Sequence, residues 1–334
     1  LLGAVALGPV LAVRAERLGR RRVVAAVSSV LSGASLLVVT LKPGVEVLLV
    51  SRFLQGAFYI AAVSILMGTI RRAGNSPATM GVVGAAVIAS IAAGIPLGGV
   101  LSRHSAELPL LVGGFSGVLV GVLALFVLPV TTDQSPSRMT FGALLTGAPA
   151  LRAPVLVVAI ERFAVGALIV PLQIYGREVL QVEDAMVNRW FSALLVVFAL
   201  ATHPMSKLGE RVPRWRLVAF GAGAYASTYL LLGFVPTGGV VALMFIAGLG
   251  SAAVYGPSLA LAAAAVPDTA RASAMAVMNA GGTLGMFLGS VLAGGVSGAL
   301  LSAGWERRES YVAVFIIAGL IQAASVVVAL RRRD

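Results

Sequence analysis

Apolar residues run along this chain in long blocks, and the charges fall between the blocks. Val23–Leu41, Val47–Ile70, Pro77–Ser102, Leu108–Thr132 and Ser310–Leu330 each form one block, with only Arg52 interrupting the second. Ala153–Gly176 is broken by Glu161 and Arg162, and Val187–Ser206 carries Arg189 near its start. Leu217–Pro267 holds no charge over 51 residues, and Pro236-Thr237-Gly238-Gly239 divides it in two. Ala272–Trp305 completes the set of ten. A hydrocarbon core of ~30 Å takes ~20 residues of helix to cross, so each block predicts one membrane-spanning helix. Leu1–Val13 is too short to cross alone and brings the expectation to about eleven helices. The predicted class is an all-α membrane protein.

Composition agrees with that pattern. Hydrophobic residues make up 59% and charged residues 11%, where a soluble domain needs nearer ~25% charge to cover its surface. The formal charge of +12 would suggest nucleic acid in a soluble domain; here the partner is the lipid bilayer, and the excess Arg and Lys sets orientation. Alternate loops hold seventeen and six of the 25 basic residues, with Arg52 and Arg162 inside spans. The richer set, which includes Arg331, Arg332 and Arg333, is expected in the cytoplasm, with the C-terminus. Leu1–Val13 then runs down into the cytoplasmic loop, so the chain is expected to start within the membrane, as a fragment lacking one helix and the start of the next. The absence of cysteine excludes disulfides and thiol chemistry. His104 and His203 are isolated and form no metal site. No catalytic cluster suggests an enzyme, and no phosphate-binding loop supports ATP as an energy source.

The chain repeats itself. Ala15-Glu16-Arg17-Leu18-Gly19-Arg20-Arg21-Arg22-Val23-Val24 returns as Gly209-Glu210-Arg211-Val212-Pro213-Arg214-Trp215-Arg216-Leu217-Val218, with Glu16 and Glu210 separated by 194 residues. The same offset sets Gly56 on Gly250, and at 196 Gly98-Gly99 falls on Gly294-Gly295. Two parallel repeats of six helices are expected: an N-terminal bundle over 1–130, a cytoplasmic linker over 131–152 and a C-terminal bundle over 153–334.

These residues resemble the major facilitator superfamily. Ala12 to Arg22 is similar to its loop motif G-x-x-x-D-R-x-G-R-R-R, with Ala12 for the glycine and Glu16 for the aspartate. Arg52-Phe53-Leu54-Gln55-Gly56 matches the fourth-helix motif R-x-x-Q-G of proton-coupled members. Gly94-Ile95-Pro96-Leu97-Gly98-Gly99 resembles the fifth-helix motif G-P-x-x-G-G of antiporters, with the proline one residue late. The resemblance implies a twelve-helix drug or sugar efflux carrier, here with about eleven helices, working as a monomer in the inner (plasma) membrane. It needs no cofactor and draws on the proton gradient.

Each candidate residue has a plainer reading beside the functional one. The resemblance implies a cytoplasmic gate at Glu16, Arg17, Gly19, Arg20 and Arg21, repeated at Glu210, Arg211 and Arg214; a carboxylate there can cap a helix or bind an arginine. Otherwise these charges only set topology. Arg52 lies roughly 12 Å into its span, about two turns, where a charge costs at least ~2.5 kcal/mol and faces a cavity or partner unless it snorkels outward. Glu161 and Arg162 are adjacent, so at ~100° apart on a helix they are expected not to pair compactly with each other. The family arrangement brings Glu161 toward Arg52 and makes it the proton carrier; a structural ion pair between the halves is the competing reading. Gln55, Tyr59, Gln173, Tyr255 and Asn279 are candidate cavity groups or ordinary helix-packing donors. Gly94, Pro96, Gly98 and Gly99 are expected to bend the fifth helix and let it pack closely. The leading expectation is proton-coupled export of a small organic compound, against a sugar or metabolite carrier or importer, and against a non-transporting sensor or scaffold.

Overall fold

Lipid leaves backbone N–H and C=O groups only each other as partners, so helices are the natural solution for these apolar blocks. The computed structural model describes residues 2–17, 20–42, 44–69, 77–128, 148–267 and 270–332. Among them are α1 (Leu2–Ala6), α2 (Gly8–Arg17), α3 (Arg21–Thr40), α4 (Val45–Thr69), α5 (Pro77–Ser102) and α6 (Leu108–Val127). Then follow α7 (Pro149–Glu178), α8 (Asp184–Leu208), α9 (Arg214–Leu232), α10 (Thr237–Ala264), α11 (Arg271–Ser302) and α12 (Arg307–Leu330). Each of the ten predicted blocks is one helix, α3 to α12. Among the described residues nine are long and apolar enough to cross a membrane; α9, with Arg214 and Arg216 in its first turn, is the other long one. Pro96, Pro154, Pro171, Pro204 and Pro257 all lie inside helices without ending them. The expected linker falls largely outside the described residues.

The chain forms two compact units. One comprises Leu1–Gly74, Leu97–Arg152 and Ala262–Thr283; the other comprises Asn75–Pro96, Ala153–Leu261 and Leu284–Asp334. Thus the start of α5 belongs to the second unit and the start of α11 to the first, an exchange at nearly equivalent places in the two halves.

In the first unit α3 packs along α6, and in the second α9 packs along α12. These pairs are equivalent under the 194-residue offset. Small residues permit the first contact: a Cβ on Gly33 would lie 2.4 Å from the Gly114 carbonyl oxygen, and one on Gly121 2.7 Å from that of Ala26. The first unit's core is itself built of small groups, with Ala12, Ala15, Ala25 and Ala276 around Ile65. The second unit has a larger core, in which Tyr175 meets Phe315 edge to face at 5.4 Å among Trp190, Tyr229 and Leu232. At the helix ends, Arg307 pairs with Glu178, and Lys42 Nζ lies 2.7 Å from Glu107. The Glu107 carboxylate holds the Lys42 ammonium above its usual range.

The glycines of α5 do not behave as the motif suggested. A Cβ on Gly94, Gly98 or Gly99 would meet nothing within 4 Å, so these positions make no close helix contact, and α5 runs unbroken through Pro96. Their face of the helix is exposed. Close packing occurs instead between α7 and α11, where a Cβ on Gly285 would lie 2.0 Å from the Ala159 carbonyl oxygen and one on Gly289 2.0 Å from that of Phe163. Ser290 Oγ donates to the Gly166 carbonyl at 3.2 Å in the same seam. Without a solvent-driven force between helices in lipid, such backbone contact carries the packing. Gly285→Ala and Gly289→Ala are therefore expected to destabilise the folded protein by roughly 1–3 kcal/mol, while Gly98→Ala and Gly99→Ala leave it unchanged or slightly stabilised. Thermal unfolding of the four variants in detergent micelles checks this; equal effects in both pairs would refute the assignment.

Candidate functional site

Two charges inside an otherwise apolar helix mark the place to look. Glu161 lies near the middle of α7 with no exposed surface, and the side chain of Arg162 is 15% exposed. The seam of Gly166, Gly285 and Gly289 fixes α7 against α11 on either side of this level. On the other flank α9 and α10 cross closely, since a Cβ on Gly221 would lie 2.7 Å from the Gly250 carbonyl oxygen. That crossing delivers Ser251 and, one turn later on the same face, Tyr255.

Ser251 Oγ donates to Glu161 Oε1 at 2.8 Å. Arg162 Nε stands 3.3 Å from Glu161 Oε2, yet among the described residues Oε2 has no hydrogen bond. The pair is thus an electrostatic contact with a poorly aimed donor. This corrects the expectation that neighbours cannot pair. Their Cβ atoms do diverge, but the arginine stem is long enough to curl back, so that the inner nitrogen reaches the carboxylate. The guanidinium lies over two aromatic faces, with its carbon 4.9 Å from the Tyr255 ring centre and 5.6 Å from that of Phe198. Phe198 and Tyr255 meet edge to face at 5.8 Å. Tyr225 and Tyr229 of α9 share a hydroxyl hydrogen bond of 3.0 Å beside them.

A cavity of about 190 Å³ adjoins this cluster inside the second unit. Its walls come from α5, α7, α8, α9, α10 and α11 and are mostly aliphatic and aromatic, with Arg162 as the one charged side chain on them. Gln173, Asn188, Tyr225 and Ser251 supply polar groups. Glu161 stands behind the wall, reached through Arg162 and Ser251.

The remaining candidates are scattered. Arg52 is exposed on α4 in the first unit, and its Nη1 donates to Gln55 Oε1 at 2.8 Å, one turn along the same helix. Tyr59 is exposed farther along α4. Asn279 of α11, also in the first unit, donates from Nδ2 to Ser64 Oγ at 3.0 Å and approaches Met67 Sδ at 3.7 Å. Gly19 lies outside the described residues, as do the side chains of Glu16 and Arg17. Arg20 is exposed before α3, and Arg21 is buried. In the second copy of the motif Arg211 is exposed and Arg214 half-buried. Glu210 Oε1 accepts from the Ala78 N–H at 3.4 Å, a carboxylate at the start of α5 where the backbone donors lack helical partners. His203 Nδ1 lies 3.3 Å from the Ala78 carbonyl oxygen.

Sequence reasoning missed Ser251, Tyr225 and Phe198. A serine in a charge-free span carries no signal of its own. The available clue was spacing: Ser251 and Tyr255 stand four apart, just after the crowded Gly248 and Gly250.

The cluster makes a stability test possible. Arg162→Leu leaves a buried carboxylate without its cation, and the folded protein is expected to lose about 3–5 kcal/mol. Adding Glu161→Gln to that variant should recover most of the loss. Denaturation of both in micelles measures this, and failure of the second change to rescue would disprove the pairing.

The family profile described as Major Facilitator Superfamily matches residues 1–183 and 155–334, two segments that together span the chain. Among curated proteins no sequence match is found. The fold is similar to the crystal structure of the human organic anion transporter MFSD10 (TETRAN), with a TM-score of 0.79 and 17% identity over 98% of this chain and 81% of that one. It is also similar to the fucose:proton symporter FucP of E. coli, with a TM-score of 0.69 and 15% identity over 100% of this chain and 88% of that one.

Proposed function

The chain belongs to the major facilitator superfamily, and from that premise we propose that it carries a small organic compound across the membrane with proton movement as the driving force, Glu161 taking and releasing the proton. It is a multi-pass membrane transporter and not an enzyme. The single observation that carries the coupling is a carboxylate with no exposed surface, one good hydrogen bond and one poorly aimed cation. Such a group can exist charged or neutral in the same packing, because Ser251 can serve either form and Arg162 can turn toward another anion. A sensor or scaffold has little use for that arrangement at mid-span.

Two directions of transport stand level. The Arg52-Gln55-Gly56 and Gly94–Gly99 motifs support export, in the manner of drug:proton antiporters. The fold likeness to a fucose:proton symporter supports uptake of a sugar or metabolite with a proton. In either case the reading has two six-helix repeats rocking about a midplane site, the Arg-rich ends and C-terminus in the cytoplasm of the plasma membrane, and Glu16 and Glu210 with their arginines latching the cytoplasmic side. A single chain suffices for this cycle.

Proteoliposome flux under pH gradients of both signs tests the proposal. Glu161→Gln is expected to abolish gradient-driven flux while leaving substrate binding within about an order of magnitude. Arg52→Lys should also impair flux, since an ammonium does not reproduce the directed Nη1 hydrogen bond to Gln55. An unaltered pH profile in Glu161→Gln, per folded molecule, would sink the proton-carrier role; gradients that drive accumulation in one sense only decide between export and uptake.

A further inference from the structure

Charge balance at the cavity goes further than transport of some organic compound. Arg162 is on the cavity wall and Glu161 is behind it. With Glu161 ionised the two cancel. An anion entering the cavity would then leave two negative charges around one cation in an apolar pocket, an arrangement that burial penalises. A proton on Glu161 removes that conflict, because the guanidinium is then left with an unbalanced charge facing the cavity. A guanidinium offers five N–H donors; Nε faces the carboxylate and Tyr255 takes a hydrogen bond, so the group has donors beyond those two contacts. The aromatic faces of Tyr255 and Phe198 hold the group in place whichever anion it serves.

The rest of the wall defines the body of the ligand. Ile88, Ile91, Val165 and Leu195 offer contact but no hydrogen bonds, which suits an apolar skeleton and not a polyol. An apolar cavity of ~150 Å³ holds a benzene-sized molecule, and about 190 Å³ leaves room for one ring or short chain with its head group.

We infer that this cavity takes up a small amphipathic organic monoanion together with one proton, the anion's head on Arg162 and the proton on Glu161. The inference rests on Glu161 being the proton carrier, and it makes the pair enter as a neutral unit: Glu161 carboxylate, proton and anion become the carboxylic acid and a guanidinium–anion pair, with no net charge added. Proton and anion thereby help each other bind, which favours movement in the same direction. The titratable and charged groups facing Glu161 are Arg162 of its own helix, Tyr225 and Tyr229 of α9 and Tyr255 of α10. A phenol of ordinary pKa ~10 is neutral near pH 7, so the balance lies between the acid and the guanidinium.

The test uses the full chain in detergent, with benzoate as probe, benzamide as its neutral isostere and benzylamine as its cation. Calorimetry in buffers of different ionisation enthalpy counts protons. Benzoate is expected to bind at least tenfold more tightly than either analogue, to take up one proton per molecule, and to gain roughly tenfold in affinity per unit fall in pH while free Glu161 is ionised. In Glu161→Gln the pH dependence and proton uptake should vanish with benzoate still bound; in Arg162→Lys the preference for benzoate over benzamide should shrink. Equal binding of benzoate and benzamide by the unmodified protein would overturn the anion, and benzoate binding with no proton uptake would overturn the coupling. Neither outcome depends on flux: proton-driven flux that persists beside either one leaves the transport reading standing, while benzoate-linked proton uptake without flux defeats transport alone.

Discussion

Placing a carboxylate where no water reaches it is tolerated only beside a cation and a hydrogen-bond donor, and much of the second unit is arranged around meeting that demand for Glu161. Ser251 supplies the donor because α9 and α10 approach at Gly221 and Gly250. Arg162 supplies the cation and is steadied in turn by Tyr255 and Phe198. The α7–α11 glycine seam holds the level of the whole group. The Ser251 hydrogen bond is a good one, but the Arg162 contact is poorly aimed and leaves Oε2 without a hydrogen bond. A fully satisfied pair would be a better structural tie and a worse exchanger of partners.

The contrast with Arg52 is instructive. That guanidinium answers its environment within one helix, by bonding Gln55 one turn away, and it is exposed. Burial is what gives Glu161 its leverage: the lower the surrounding dielectric, the more one proton changes which neighbours are tolerable. The two intramembrane cations therefore carry very different weight although sequence marks them in the same way.

Helix positions were legible because length and apolarity are nearly sufficient in lipid, and every block from Val23 to Leu330 became one helix. The similarity of the two charged segments around Glu16 and Glu210 was legible because their charges stand out from the apolar background. The intramembrane charges were visible for the same reason. Partnership was not. Whether Arg162 curls back to Glu161 depends on rotamers and on a crossing of two other helices, neither written in local periodicity. Glycine was the most misleading signal: Gly98 and Gly99 look like packing residues, yet a Cβ there would meet nothing within 4 Å among the described residues, whereas Gly285 and Gly289 lie against backbone. Small size permits approach but does not name the approaching helix.

The exchange of α5 and α11 between the two compact units has a consequence for biosynthesis. The first unit draws on Ala262–Thr283, a segment made long after Arg152 has left the ribosome. At ~5–20 residues per second, the 109 residues between Arg152 and Ala262 take about 5–22 s to appear. Until then the alanine-rich cluster around Ile65 lacks Ala276. The order of synthesis thus makes the last contacts of the first unit among the latest events in assembling the whole chain.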